Sequence, residues 1–283
     1  MININKYLKY YKFVDFIPIN NNINYNYLSI NNHNKALDIL LENIDKINWD
    51  NLSFNTNDKA IYLLIENQDK INWDNLSYNT NNLAIDLLIK NQDKINWDEL
   101  SKNNNNKALQ LLINNQDKIN WNYLSSNNND YALDLLIQNQ NKIIWGELCK
   151  NNNNKTFELL KNNKNKINWN LLSINNNDKA IKLLLNNFDK IDWDFLSGNT
   201  NNNAIKILKN NKENINFTEL LYNYNDNVLD LLIQNIKHDE LLYYKNYNTI
   251  KLLKNKTLKF TDINNFDRIY KYSDIFDEHY III

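Results

Sequence analysis

The sequence predicts an all-α fold, a right-handed α-solenoid of stacked 24-residue helix-turn-helix repeats, about nine of them regular, with divergent ends. Three observations lead there. Tryptophan recurs at a fixed 24-residue period, an apolar block between rungs has helical spacing, and asparagine returns at the phase where each helix must stop.

Every tryptophan of the chain falls on one ladder: Trp49, Trp73, Trp97, Trp121, Trp145, Trp169 and Trp193. Tyr25 extends it one step towards the N-terminus and Phe217 one step towards the C-terminus. An exact period between 20 and 50 residues signals a repeat architecture and outranks any local pattern. A leucine follows three residues after each aromatic, from Leu28 to Leu220, and an isoleucine precedes it by two, from Ile23 to Ile215.

Between rungs lies the longer helix of each repeat. Ala84-Ile85-Asp86-Leu87-Leu88-Ile89 is apolar at i, i+1, i+3, i+4 and i+5, one broad helical stripe where a strand would alternate. The aromatic and the leucine three places on mark a shorter helix, as in Trp97-Asp98-Glu99-Leu100. Asn48, Asn72, Asn96 and Asn120, and once Asp192, precede the aromatic and supply N-cap chemistry. A leucine-rich β-solenoid is the alternative architecture.

With glycine at only two positions, Gly146 and Gly198, another residue must enter the left-handed region where helices end, and asparagine is the next most tolerant. Asn67, Asn91 and Asn115 are therefore expected to close the longer helix in that conformation, and Asn55, Asn79 and Asn103 the shorter one. Thus the asparagine-rich segments read as turns at fixed phase, not as a prion-like tract.

Terminal repeats have one unpaired face and are expected to diverge. Residues 1–22 read as an N-terminal cap, 23–236 as the regular array, and 237–283 as shortened repeats and a C-terminal cap ending in Tyr280-Ile281-Ile282-Ile283. Composition does not break inside the chain, so one continuous body is expected.

The net charge of −1 gives no global attraction to nucleic acid or to an anionic membrane. Lone Cys149 fits a reducing compartment. No apolar run approaches the roughly 18 residues a spanning helix needs, and the N-terminus lacks a secretory signal pattern. The expected location is cytoplasmic. His33, His238, His279 and Cys149 show no metal-ligand spacing, and two glycines cannot build a phosphate cradle. The chain is therefore expected to be non-enzymatic, with no catalytic residue, cofactor or metal.

The unit AIxLLIxNxDKINWDxLSxN, best carried by Asp-Lys-Ile-Asn-Trp at 69–73 and 93–97, resembles the short tandem repeats of proteins from giant viruses of amoebae, the mimivirus and megavirus group. The likeness covers about residues 23–235. Related repeats commonly carry proline before Ala-Ile, where this chain has turns such as Asn79-Thr80-Asn81-Asn82. The resemblance implies a location in the host-cell cytoplasm or the virion. It implies no activity and no functional residue.

A tryptophan ladder can serve as a stacking platform for single-stranded nucleic acid. Here each ring is in step with Ile and Leu, so the expectation is core packing. Lys46, Lys70, Lys94, Lys118, Lys142, Lys166 and Lys190 form a second ladder, read as solvated turns whose neighbouring aspartates cap a backbone amide. Only Lys142 to Lys166, where Asp is missing and Lys150, Lys155, Lys161 and Lys164 add charge, reads as a basic patch.

Solenoids bind through positions that vary between otherwise identical repeats. One such column runs Phe54, Tyr78, Lys102, Ser126, Lys150, and another Tyr62, Asp86, Gln110, Asp134, Glu158, Lys182. Phe54, Tyr62, Tyr78, Lys102, Lys150 and Lys182 are the candidate protein-binding residues, the aromatics as anchors. A protein partner is the leading expectation, self-association the second, and nucleic acid bound through the Lys142–Lys166 patch a distant third.

Overall fold

The computed structural model describes residues 23–235. Both expected caps, together with His238 and His279, lie outside the described residues. Contacts divide the chain into two compact units, Met1–Ala132 and Leu133–Ile283. Composition gives no sign of that division. Stacked repeats touch only their neighbours, so a boundary can fall between any two of them.

Every element among the described residues is helical and none is a strand, which excludes the β-solenoid and makes the fold an α-solenoid. The first unit holds α1 (Tyr25–Ile30), α2 (Asn34–Leu41), α3 (Trp49–Phe54), α4 (Asp58–Glu66), α5 (Trp73–Tyr78), α6 (Asn82–Lys90), α7 (Trp97–Lys102), α8 (Asn106–Ile113) and α9 (Trp121–Ser126). Helix α10 (Asp130–Gln138) contains the boundary. The second unit holds α11 (Trp145–Lys150), α12 (Thr156–Asn162), α13 (Trp169–Ser173), α14 (Asp178–Leu185), α15 (Trp193–Gly198), α16 (Asn202–Asn210), α17 (Phe217–Leu221) and α18 (Leu229–Asn235).

Within each unit the odd-numbered short helices stack on one another and the even-numbered long helices do the same, giving two layers. The core lies between them. Ala84, Ile85 and Leu88 of α6 and Leu76 of α5 are fully buried, and so are their equivalents in neighbouring repeats, such as Ala60, Ile61, Leu64 and Leu52. Helices of two turns or fewer are marginal alone, so stability belongs to the stack.

Between the layers the chain makes a connection the sequence pattern did not reveal. Each long helix from α2 to α16 is followed by a one-turn 3-10 helix, such as Gln68–Lys70 and Gln92–Lys94, which leads into the extended Ile71 or Ile95 and then the next short helix. The short helices start on the expected caps: the Asn72 carboxamide oxygen accepts from the Asn75 amide, Asn96 from Asp98 and Glu99, and Asp192 from Phe195.

The asparagines end helices, but not in the expected left-handed conformation. Asn67, Asn91 and Asn115 sit at φ −129 to −135° and ψ 52–54°, while Asn55, Asn79 and Asn103 are extended at φ −66 to −70° and ψ 123–127°. No chain reversal is needed, because the long helix tightens into the 3-10 turn and the short one runs out into an extended link. What selects asparagine is its side chain. Asn67 Nδ2 donates to the otherwise orphaned carbonyl of Leu63 at 2.9 Å, and Asn91 does the same for Leu87.

The second set, at the ends of the short helices, is buried and ties repeats together. Asn79 Nδ2 donates to Ser53 O and Asn55 O, both at 2.9 Å, and its Oδ1 accepts from the Asn81 amide, also at 2.9 Å. Asn55 and Asn103 in the first unit, and Asn175, Asn199 and Asn223 in the second, donate to the same two carbonyls of the repeat before them. Aspartate has no N–H to donate, and alanine would strand two buried carbonyls and an amide.

Buried serine makes a third tie. Ser53, Ser77 and Ser101 each donate to the carbonyl of the aromatic four residues back, at 2.7–2.8 Å, and accept the amide of the next repeat's cap residue at 3.0–3.1 Å. Donor and acceptor capacity are both used, so these fully buried hydroxyls carry no desolvation penalty.

Candidate interaction face

The tryptophans are not core. Each ring of the ladder is half-buried, whereas the leucine three residues on is fully buried. Tryptophan opens a short helix, and on three rungs its face is covered by a lysine from the following repeat's 3-10 turn. Lys70 Nζ lies 4.6 Å from the Trp49 ring centre, Lys94 4.7 Å from Trp73, and Lys166 4.7 Å from Trp145. Lys46 covers the Tyr25 ring in the same way at 5.1 Å.

Two expectations are corrected together. The ladder lysines were read as solvated turns, yet several act as cation–π lids, each worth about 0.5–1 kcal/mol at such exposed sites. The ladder rings were read as wedged in the core, yet they form a partly wet edge held by those lids. The correction does not turn them into a stacking platform, because the ring faces at Trp49, Trp73 and Trp145 are already taken.

Of the six candidate binding residues, Phe54, Tyr62, Tyr78, Lys150 and Lys182 are exposed and Lys102 is half-buried. The structure brings some of them together. Phe54 and Tyr78, at the ends of α3 and α5, meet edge to face with centroids 6.2 Å apart. Ile30 continues their column at the end of α1 and is 46% exposed. Lys102, at the end of α7, lies 4.2 Å from the Tyr123 ring and pairs with Glu99 at 2.6 Å, a bond that raises its pKa. The short-helix ends of the first unit thus carry Ile30, Phe54 and Tyr78 on successive rungs of one column, with Lys102 on the next.

The other candidates stand apart from that edge. Tyr62 belongs to the long-helix layer, on α4, and Lys182 to α14 of the second unit. Lys150, at the end of α11, pairs with Glu147 at 2.6 Å. The neighbouring column is largely neutralised: Asp38 and Asp86 pair with Lys59 and Lys107 of the next repeat at 2.7 Å.

The basic patch is likewise less open than its composition indicates. Besides Lys150, Lys155 pairs with Asp134 at 3.3 Å and Lys161 with Glu158 at 3.8 Å. Lys164 Nζ donates to Asn187 Oδ1 at 3.3 Å, and Lys166 caps Trp145. A phosphate backbone would have to displace these partners.

Cys149 occupies the serine phase of its repeat and is fully buried. Burial pushes its thiol up to about 11, against a smaller opposing effect of the Asn168 backbone amide. A thiol held neutral is a poor nucleophile. His33 caps α2 by accepting the Lys35 amide on Nδ1. Among the described residues, no group of three or more His, Cys, Asp or Glu could hold a metal, and no helix is long and apolar enough to cross a membrane.

The edge had one signal in sequence, the variable column itself. The buried serine and asparagine ties had a signal as well, exact recurrence every 24 residues, but recurrence alone does not distinguish a tie from a turn. No protein-family model matches the chain, and no curated protein or solved structure matches it either.

Proposed function

We propose that this chain is a non-enzymatic repeat scaffold that holds a protein partner on the short-helix edge of its first unit, with Phe54 and Tyr78 as anchors. The observation that carries this is the touching pair of exposed rings at positions free of packing duty. An aromatic pair beside Ile30 and bounded by Lys102 has the makeup of an interface hot spot, apolar at the centre and charged at the rim. The neutral, buried thiol of Cys149 supports the non-enzymatic side. On the resemblance to giant-virus repeat proteins, the proposed partner is one met in the infected host cell, in its cytoplasm or at the virion.

The test is affinity capture from infected amoebae with the parent chain and with a Phe54→Ala/Tyr78→Ala double variant, circular dichroism checking that both are folded. A partner held by the parent and lost by the double variant supports the proposal. One retained equally by both sinks it.

A further inference from the structure

The long-helix layer of the first unit carries a second feature that the short-helix edge does not use. Leu41, Ile65 and Ile89, at the C-terminal ends of α2, α4 and α6, are 45%, 36% and 40% exposed, and Ile113 of α8 continues their row half-buried. The row recurs every 24 residues and spans four repeats, about 30 Å at about 10 Å per packed helix. Beside Ile89 it borders an open groove between α6 and α8, lined by Asp86, Gln110 and Leu111. Aliphatic side chains repeating in water along one line have no local task.

Next to each aliphatic sits a residue of the same helix end: Glu42, Glu66, Lys90 and Asn114, all exposed. Flanking charges cancel locally, since Lys59 holds Asp38 and Lys107 holds Asp86 at 2.7 Å. Glu66 and Lys90 have no ion-pair partner among the described residues. The row therefore reads, in chain order, acidic, acidic, basic, neutral.

We propose that this row is an isologous interface with a second copy of the chain, the two rows running antiparallel. Charge complementarity selects both occupant and register. Laid on itself in parallel, the row sets Glu66 against Glu66 and Lys90 against Lys90. Antiparallel, with the two-fold between α4 and α6, it sets Glu66 against the copy's Lys90 twice and Glu42 against Asn114, while the aliphatics cover one another. A two-fold centred on Glu66 sets Glu66 against its own copy even as it pairs Glu42 with Lys90, and one centred on Lys90 sets Lys90 against its own copy. Among these registers only the one between α4 and α6 has attractive pairs and no like-charge pair, which is how self-complementary faces are specified.

The inference is independent of the scaffold proposal, whose anchors Phe54 and Tyr78 lie in the other layer. Sedimentation equilibrium of the full chain tests it. The parent is expected to form a concentration-dependent dimer that weakens with salt. Glu66→Lys or Lys90→Glu alone turns two attractive pairs into two repulsive ones and should raise the dissociation constant about tenfold or more. The combined Glu66→Lys/Lys90→Glu chain restores both pairs and should dimerise within a few-fold of the parent, and Ile65→Lys should leave a monomer. All three sites are exposed, and circular dichroism confirms each variant's fold. A parent that stays monomeric, a dimer indifferent to the single reversals, or a double reversal that fails to restore it overturns the proposal.

Discussion

The repeats around Trp73 and Trp97 in the first unit and the repeat around Trp145 in the second are built on one plan with different fittings. Asn72 and Asn96 cap their short helices through the side chain; Ile144 caps nothing. Helix α6 begins at Asn82 on the Asn81 cap, whereas α12 begins at Thr156, two residues later in phase, with no side-chain cap from Lys155. Thr156 stands where the regular repeats have Ala84 or Ala108, and its buried hydroxyl has no hydrogen-bond partner. Gly146 replaces the Asp74 or Asp98 of the regular repeats, and Cys149 the Ser77 or Ser101.

The fold nevertheless continues, and the asparagine tie shows why. Asn175 donates to Cys149 O at 2.8 Å and Asn151 O at 3.1 Å, just as Asn79 does to Ser53 O and Asn55 O. Its acceptors are backbone carbonyls, which every residue supplies. A tie made from one invariant side chain to the neighbour's backbone tolerates almost any change in that neighbour, whereas caps and hydroxyl bonds are lost with the side chain that makes them.

The largest effect should come from breaking that tie in the better-fitted unit. Asn79→Ala leaves two buried carbonyls and a half-buried amide without partners and should cost about 3 kcal/mol, at about 1–3 kcal/mol per stranded buried group. Half-buried Asn81→Ala, which loses a helix cap and two solvent-facing bonds to Thr56 O and Asp58 Oδ1 of the preceding repeat, should cost less, about 1–2 kcal/mol. Urea denaturation of the two variants checks the difference, and equal costs would remove the distinction between tie and cap.

Trp97→Ala comes next. A half-buried ring at the edge of the layer should cost about 2 kcal/mol, less than the about 3–5 kcal/mol of an aromatic wedged in the core. Native tryptophan emission is expected between that of buried and of water-exposed indole. A fully blue-shifted spectrum with the larger loss would return the ladder to the core.

Smaller effects should appear in the poorly fitted repeat and have the opposite sign. Amide hydrogen exchange is expected to be faster over residues 144–160 than around Trp73 or Trp97. Ile144→Asn should restore a cap and add about 1 kcal/mol, and Thr156→Ala should add about as much by removing an unsatisfied hydroxyl. A Cβ at position 146 would meet Leu171 Cδ1 at an ordinary 3.5 Å, so Gly146→Ala should be tolerated and stiffen α11. If exchange is uniform and these variants gain nothing, the two regions are equivalent.

The last effect is confined to alkaline pH. The Cys149 thiol titrates at about 11 in the folded chain against an ordinary 9.0, so the fold favours the neutral form. That contribution is fully present below pH 9 and is lost as pH rises towards 11. Cys149→Ser should abolish the loss and place a hydroxyl in the serine phase. Iodoacetamide should label native Cys149 only as fast as the chain opens; rapid labelling at neutral pH would contradict its burial.

The period by itself determined a great deal. Recurrence every 24 residues, the i, i+3, i+4 stripe and the Asn before each aromatic settled helix type, order, phase and the short-helix caps, because these are local consequences of backbone geometry. Variable columns also pointed to Phe54 and Tyr78 as exposed rings, since packing leaves those positions free. What one repeat offers the next was decided only by the stack. Asn55 and Asn79 looked like turn residues, Ser53 and Ser77 carried no distinct signal, Trp73 looked like core, and Lys94 like a solvated charge. Each takes its role from a partner about one repeat away, and a single unit read alone contains no such partner. The row of Leu41, Ile65 and Ile89 is the same case from outside: its spacing suits the core-facing stripe of a helix, and only the packed layer leaves it facing water.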